Sequence, residues 1–321
     1  TDTLNSEALR PAGGPMTKNV DDLVHLYRTI FSKELYDEDR RLPRVLFNEE
    51  LYQSTLDSKS LMIGIVTNAE EIAGLCPSVK RAMQMTKEAL EKKGHKVVEV
   101  EIPEIESQSN NVLNIAMGSI MESFYKEWCK NCDYLEPNEF ATVCFNQIPR
   151  CLAQLIAKIC RIKNMNRHAD ILMAVNCPTI ENFKEFIMIR KKHLEDVENL
   201  WKKLNLDALI LPTYPIPAFT REVAKDIGLL PCATRLPIYW QFCSGFMPIT
   251  VVKDDEELYD EKIHHDLITD LCKKSMVGSK GMPVGIEVCA LPFRDEKAMA
   301  VMKILEAEIG FSEKHPLPYK K

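Results

Sequence analysis

Glycine is scarce in this chain: 12 of 321 residues, under 4%, against roughly 7% in ordinary globular proteins. Phosphate cradles, oxyanion loops and nucleophile turns use glycine for positive φ and close backbone approach. A glycine-poor chain has few places to build one. The sequence holds no apolar run approaching the ~18 residues of a membrane-spanning helix. Its first stretch, TDTLNSEALRPAGG, has no signal-peptide h-region. GxSxG, HExxH and GxxxxGK[ST] are all missing, so no standard nucleophile elbow, zinc helix or phosphate loop is encoded. No cofactor motif is found. The eleven cysteines are odd in number and scattered, which fits free thiols in a reducing compartment better than a disulfide framework. Cys129 and Cys132 have CxxC spacing, but no second pair completes the four ligands that zinc requires. They read as helix-end cysteines, and no metal site is expected. With net charge -6 and dispersed basic residues, a nucleic-acid footprint is not expected either.

What is there alternates strands with helices. Leu61–Val66 is a short continuous apolar run, the pattern of a strand buried on both faces. A helix follows from Cys76, with Ser78 as candidate N-cap and Gly94 as its stop, and Lys96–Val100 is the next strand. Strand, crossover helix and strand within so few residues make a βαβ unit and a partly parallel sheet. Further strands are expected over Leu206–Leu211, Gly245–Val252 and Gly281–Ala290. Helices are expected to open after Lys18 and over Val112–Trp128, Phe183–Leu204 and Arg294–Ile309. Residues 32–60 read as an irregular excursion, and Asp254–Glu257 as a solvated acidic turn. The fold class is therefore α/β, a mixed sheet with helices on both faces.

Candidate catalytic residues stand alone. His264, His265 and Asp266 could mimic part of a triad, but neighbouring helix positions diverge by about 100° and do not converge on one ion or nucleophile. Ser119 and Ser244 have no base at motif spacing. His193 falls on the packed face of its helix.

The most unusual stretch is Ile148–Met173. No acidic residue occurs between Glu139 and Asp170, while Arg150, Lys158, Arg161, Lys163 and Arg167 all do. On a helical wheel Leu152, Leu155, Ile156, Ile159 and Ile162 share one arc, with Arg150, Lys158 and Arg161 roughly opposite. Two readings fit: a helix lying in a membrane interface, or a core-facing helix with a basic outer face.

Several runs, taken together and in order, resemble the amidase-signature hydrolases, in particular their fatty acid amide hydrolase branch. Gly14–Leu23 is similar to the family's GPMxRxVxxL stretch. Trp201–Thr213 is similar to its WKxxxLDVLLTP segment, and Lys273–Met276 with Gly281–Pro292 to its KKAM and GLPVxVQxVALP runs. The resemblance runs from about Gly14 to the C-terminus. It implies one domain over 1–321, incomplete because the family's catalytic lysine and two serines precede the GPM element and have no counterpart here. No catalytic residue is assigned.

By the same resemblance, 148–173 falls at the family's membrane cap. That tips the stretch toward the interface, although Gln154, Asn164 and Asn166 make it less apolar than the family's cap. Glu136 and Ile268 fall at portal positions, so Glu136, Leu152, Leu155, Ile156, Ile159 and Ile268 are the membrane or channel candidates. Arg150, Lys158, Arg161 and Lys163 are the interfacial cations. The implied partners are a lipid amide or other apolar small molecule, a membrane surface and a second copy in a homodimer. The implied location is peripheral, on an internal membrane. The expected role is the C-terminal portion of an enzyme cleaving lipid amides to fatty acid and amine. The alternative is a catalytically inactive protein on the same scaffold that binds lipid, membrane or a partner.

Overall fold

The computed structural model describes residues 9, 13–38, 44–131, 137–176, 179–219, 223 and 230–315. Among them, five strands form one sheet: β1 (Met62–Val66), β2 (Lys96–Val100), β3 (Ala208–Pro212), β4 (Cys243–Val251) and β5 (Pro283–Ala290). Their order is β2-β1-β3-β5-β4. β1 runs parallel to β2 and β3, whereas β5 is antiparallel to both β3 and β4. The mixed sheet expected from the sequence is therefore present.

The strands are apolar on both sides because both sides are covered. Ile63, Ile65, Ala208, Ile210, Ile286 and Val288 point into one core. That core is closed by α1 (Val20–Ile30), α3 (Glu49–Leu56), α4 (Pro77–Lys92), α11 (Leu267–Met276) and α12 (Asp295–Ile309). The intervening Val66, Val100, Leu209, Leu211 and Cys289 point into the other. There they meet α5 (Ile105–Asn131), α9 (Ile180–Leu204) and α10 (Arg235–Trp240). The two-residue alternation along each strand sorts side chains between the layers.

Several boundaries differ from expectation for local reasons. The helix after β1 starts at Pro77 with Cys76 as N-cap, since proline's fixed φ suits a first helical position. Ser78 is not the cap; it is fully buried, its Oγ 3.2 Å from Cys76 Sγ. Gly94 does end that turn, at φ +90°. Residues 32–60 are not irregular throughout: α2 (Lys33–Glu38) and α3 lie there. α3 is capped by Asn48, whose Oδ1 accepts from Leu51 N at 2.9 Å. The Asn48 N–H in turn donates to Glu296 of α12 at 2.7 Å. This helix buries only Tyr52 and Thr55, too few positions to produce a visible period.

The acidic turn at 254–257 is only partly solvated. Glu256 is 7% exposed and pairs bidentately with Arg81 of α4, at 2.6 and 2.7 Å. That guanidinium holds the Glu256 carboxyl below the usual carboxylate range. Asp266 does not lie within a helix beside His264 and His265. It is the N-cap of α11, its side chain accepting from Thr269 N at 3.0 Å.

Candidate functional site

The stretch 148–173 folds as two helices, α7 (Arg150–Ile162) and α8 (Asn166–Val175), rather than one. The break is at Asn164, which adopts left-handed backbone at φ +59°, a conformation asparagine tolerates better than most residues. Met165 N then donates back to Cys160 O at 2.9 Å. α6 (Pro137–Gln147) leads into the hairpin. Its junction with α7 is clamped by Asn176, whose side-chain amide donates to Phe145 O and Ile148 O at 3.0 and 2.9 Å. Asn146 returns a bond to Val175 O at 2.9 Å.

The hairpin closes on small residues. Ala153, Ala157 and Ala169 are all but fully buried, so the two helices approach closely. The large apolar side chains of α7 point the other way. Leu152 is 43% exposed, Leu155 55%, Ile159 46% and Ile162 76%. Ile156 is half-buried against Ala157, Ala169 and Leu172. The core-facing reading of this arc therefore fails: the alanine stripe faces inward and the leucine–isoleucine stripe faces out. Of the cations, Lys158 and Lys163 are exposed and make no ion pair with described residues. Arg161 binds Asp170 at 2.9 Å, and half-buried Arg150 donates to Asn176 O at 3.3 Å. Ile268 is buried in the core on the α4 side of the sheet. Glu136 and Cys132 lie outside the described residues.

Arg167 is not an interfacial cation. It is 4% exposed and ties α8 to the N-terminus of α11. Its Nε and Nη2 donate to the Asp266 carboxylate at 2.8 and 2.5 Å, and Nη2 also reaches Thr269 Oγ1 at 2.7 Å. Burial alone would raise the Asp266 pKa, but Arg167 and the Thr269 N–H bring it below its ordinary value. Glu261, also buried, accepts from Gly74 N at 2.7 Å and Ile263 N at 2.9 Å. The lack of acids between 140 and 169 was the sequence signal for unusual cations. Nothing local revealed that one of them pairs with an acid 99 positions away.

Beneath the hairpin lies a cavity of about 530 Å³, bounded by α5, α7, α8, α9 and the segment around Pro231–Arg235. That volume falls in the roughly 300–1,000 Å³ range of small-molecule sites. One part of its wall is apolar, with Leu113, Ile171, Met173, Phe186 and Ile189. The remainder carries Arg150, Arg161, Arg167 and Arg235, with Asp170, Glu106 and three asparagines. None of the outward stripe of α7 contributes to it.

The floor is held by a buried polar network that the sequence did not announce. Tyr239 Oη receives a bond from Asn111 Nδ2 at 2.7 Å and lies 2.8 Å from His193 Nδ1. Arg190 Nε donates to Tyr239 O at 2.8 Å. His193 is thus a packing residue, as its helical position suggested, and not a base beside a nucleophile. Burial pushes the Tyr239 phenol up to about 12. It also lifts the Cys232 thiol to about 11 and Cys243 and Cys272 to about 12, which makes them poor nucleophiles at neutral pH. Among the described residues no group of three or more His, Cys, Asp or Glu could hold a metal ion. Among them, too, no helix is long and apolar enough to cross a membrane.

Comparison with known proteins gives a consistent picture. Residues 5–299 match the family described as Amidase. Fatty acid amide hydrolase 1 of Caenorhabditis elegans is 24% identical over 310 residues, covering 92% of this chain and 51% of the relative. Fatty-acid amide hydrolase 1 of Sus scrofa is 24% identical over 305 residues, covering 93% and 51%. The chain thus spans about half the length of the curated relatives it matches. Among solved structures, a fatty acid amide hydrolase superposes with TM-score 0.72 at 15% identity, covering 95% of this chain and 49% of that one. A 6-aminohexanoate cyclic dimer hydrolase gives TM-score 0.58 at 16% identity, covering 94% and 55%.

Proposed function

This chain belongs to the amidase family, and on that footing we propose that it supplies the C-terminal sheet, cavity and lipid-facing hairpin of an amidase that hydrolyses lipid amides. The fatty acid amide hydrolases among its relatives support the substrate class. The observation that carries the reading is the two-sided hairpin. Its outer surface presents Leu152, Leu155, Ile159 and Ile162 to solvent, while Arg150, Arg161, Ile171 and Met173 of the same two helices line the cavity. An element with an exposed apolar stripe on one side and a cavity wall on the other can rest on lipid and admit an amphiphile beneath it. Lys158 and Lys163, exposed on the same segment, suit an anionic surface. In this proposal the serine that attacks the amide carbonyl, and the lysine and bridging serine that activate it, come from outside the present residues.

Two measurements test it together: co-sedimentation with phosphatidylserine-containing vesicles, and release of acid from a long-chain primary amide against acetamide. Burying a leucine or isoleucine is worth about 1.5–3 kcal/mol. Leu155→Asp with Ile159→Asp should therefore lower vesicle affinity by roughly 100-fold or more. Unchanged vesicle binding would remove the lipid-facing role. Equal turnover of acetamide would remove the lipid-amide specificity, and no turnover of either by the protein carrying this chain would favour the inactive alternative.

A further inference from the structure

We propose that the face of the β4–β5 pair turned away from α4 and α12 binds a primary alkylammonium group, with Glu287 as its counterion and Phe246 as the ring beside its stem. This goes beyond the proposed reaction and stands without it, since it rests on side chains of β4, β5 and the start of α10.

Ile286 and Val288 point into the core closed by α4 and α12, so Glu287 between them points to the opposite face. It is 6% exposed, and its Oε2 is buried without a hydrogen-bond partner. Among the described residues no cation acts on its carboxyl; the hydroxyls of Ser244 and Thr234 lie beside it and favour the ionised form. Arg235, next to Thr234 in sequence, acts on the Cys232 thiol and the Tyr214 phenol instead. Of residues 220–229 only Val223 is described, and it packs on the other face of the sheet. A carboxylate buried without a counterion is unfavourable, and a cation beside it removes that penalty.

The face is open toward the edge of the sheet. β4 is the last of the described strands in the order, Ser244 is exposed and Phe246 is 58% exposed. Phe246 is the register partner of Glu287. Its ring lies over Gly285, within 2.5 Å of where a Cβ would stand, and so shares the face of the carboxyl. A carboxylate and two hydroxyl oxygens match the three N–H donors of an ammonium, and an aromatic ring attracts the same charge. A calcium or magnesium ion fits less well, since it takes several oxygen ligands at once. Two sources carry an alkylammonium: a free amine, and the lysine side chain of a polypeptide lying on β4.

The test is calorimetric titration of the full chain at pH 8.5 with butylammonium, Nα-acetyllysine N-methylamide and butan-1-ol. At least one of the two cations should bind about tenfold or more tightly than butan-1-ol. Tighter binding of butylammonium assigns the site to a free amine, and tighter binding of the lysine derivative assigns it to a docked polypeptide. Glu287→Gln should weaken the bound cation at least about tenfold and leave butan-1-ol within about twofold. Phe246→Leu should weaken the cation about threefold. Thermal melts check that both variants fold. Butan-1-ol binding as tightly as the cations, no binding of either cation, or cation affinity unchanged by Glu287→Gln would overturn the proposal.

Discussion

Glu287 lies in β5 and is 6% exposed, with Oε2 buried and unpartnered. Burial raises its pKa from 4.5 to about 7, against the opposing hydrogen bonding of Ser244 and Thr234. A carboxyl whose pKa is raised in the native state binds its proton more tightly there than in the unfolded chain. Its contribution to stability therefore falls as pH rises from 4.5 toward about 7. At about 1.4 kcal/mol per pH unit, the cost above that window is about 3 kcal/mol. Glu287→Gln keeps the shape and removes the charge, and glutamine is what the resembling GLPVxVQxVALP run carries there. At pH 5 the two proteins should differ by less than about 1 kcal/mol. At pH 8.5 the Gln variant should be about 3 kcal/mol more stable, which at roughly 2 °C per kcal/mol raises its melting temperature by ~6 °C. Paired thermal melts at the two pH values measure this. A difference independent of pH, or a Gln variant less stable at pH 8.5, would refute the assignment of a strained buried carboxyl.

Two other sites give sharp expectations. Asp266→Ala leaves Arg167 buried without its counterion and removes the cap of α11, so urea unfolding should show a loss of about 3–5 kcal/mol. Joint replacement, Arg167→Met with Asp266→Leu, should recover at least ~1 kcal/mol of that loss, and a larger loss in the double variant would show that the pair is itself stabilising. Gly285 pairs with Pro248 where the β4–β5 register shifts. A Cβ there would overlap the Met247 carbonyl oxygen and come within 2.5 Å of the Phe246 ring. Gly285→Ala should destabilise by about 2–3 kcal/mol in urea; a change under ~0.5 kcal/mol would mean that the strands separate without cost.

The elements most easily read from the sequence were those whose signal is local. Leu61–Val66 and, past Asp207, Ala208–Leu211 are apolar without interruption because both faces of their strands are covered, and the expected spans 61–66 and 206–211 fell within about two residues of the observed strands. Gly94 stopped its helix as expected, because its φ of +90° suits glycine. α3 stayed hidden because its stability comes from α12, through Glu296 and the Asn48 backbone, and its own side chains carry little period. Glu256 looked solvated because its partner, Arg81, lies 175 positions away.

The amphipathic stretch shows where the boundary falls. By itself the sequence determined that 148–173 would be helical, amphipathic and cation-rich, because those properties follow from residue spacing. Only the tertiary structure decided the turn at Asn164, the inward direction of Ala153 and Ala157, and the outward direction of Leu155 and Ile159. The physical reason is that a wheel gives the angle between faces but not which face has a neighbour. The wheel put Arg150, Lys158 and Arg161 opposite the apolar arc, and packing then brought Arg150 and Arg161 to the edge of a cavity while Lys158 stayed in solvent. Whether a cation becomes a pin like Arg167, a surface ion pair like Arg161, or a solvated lysine like Lys158 depends on groups brought from other parts of the chain.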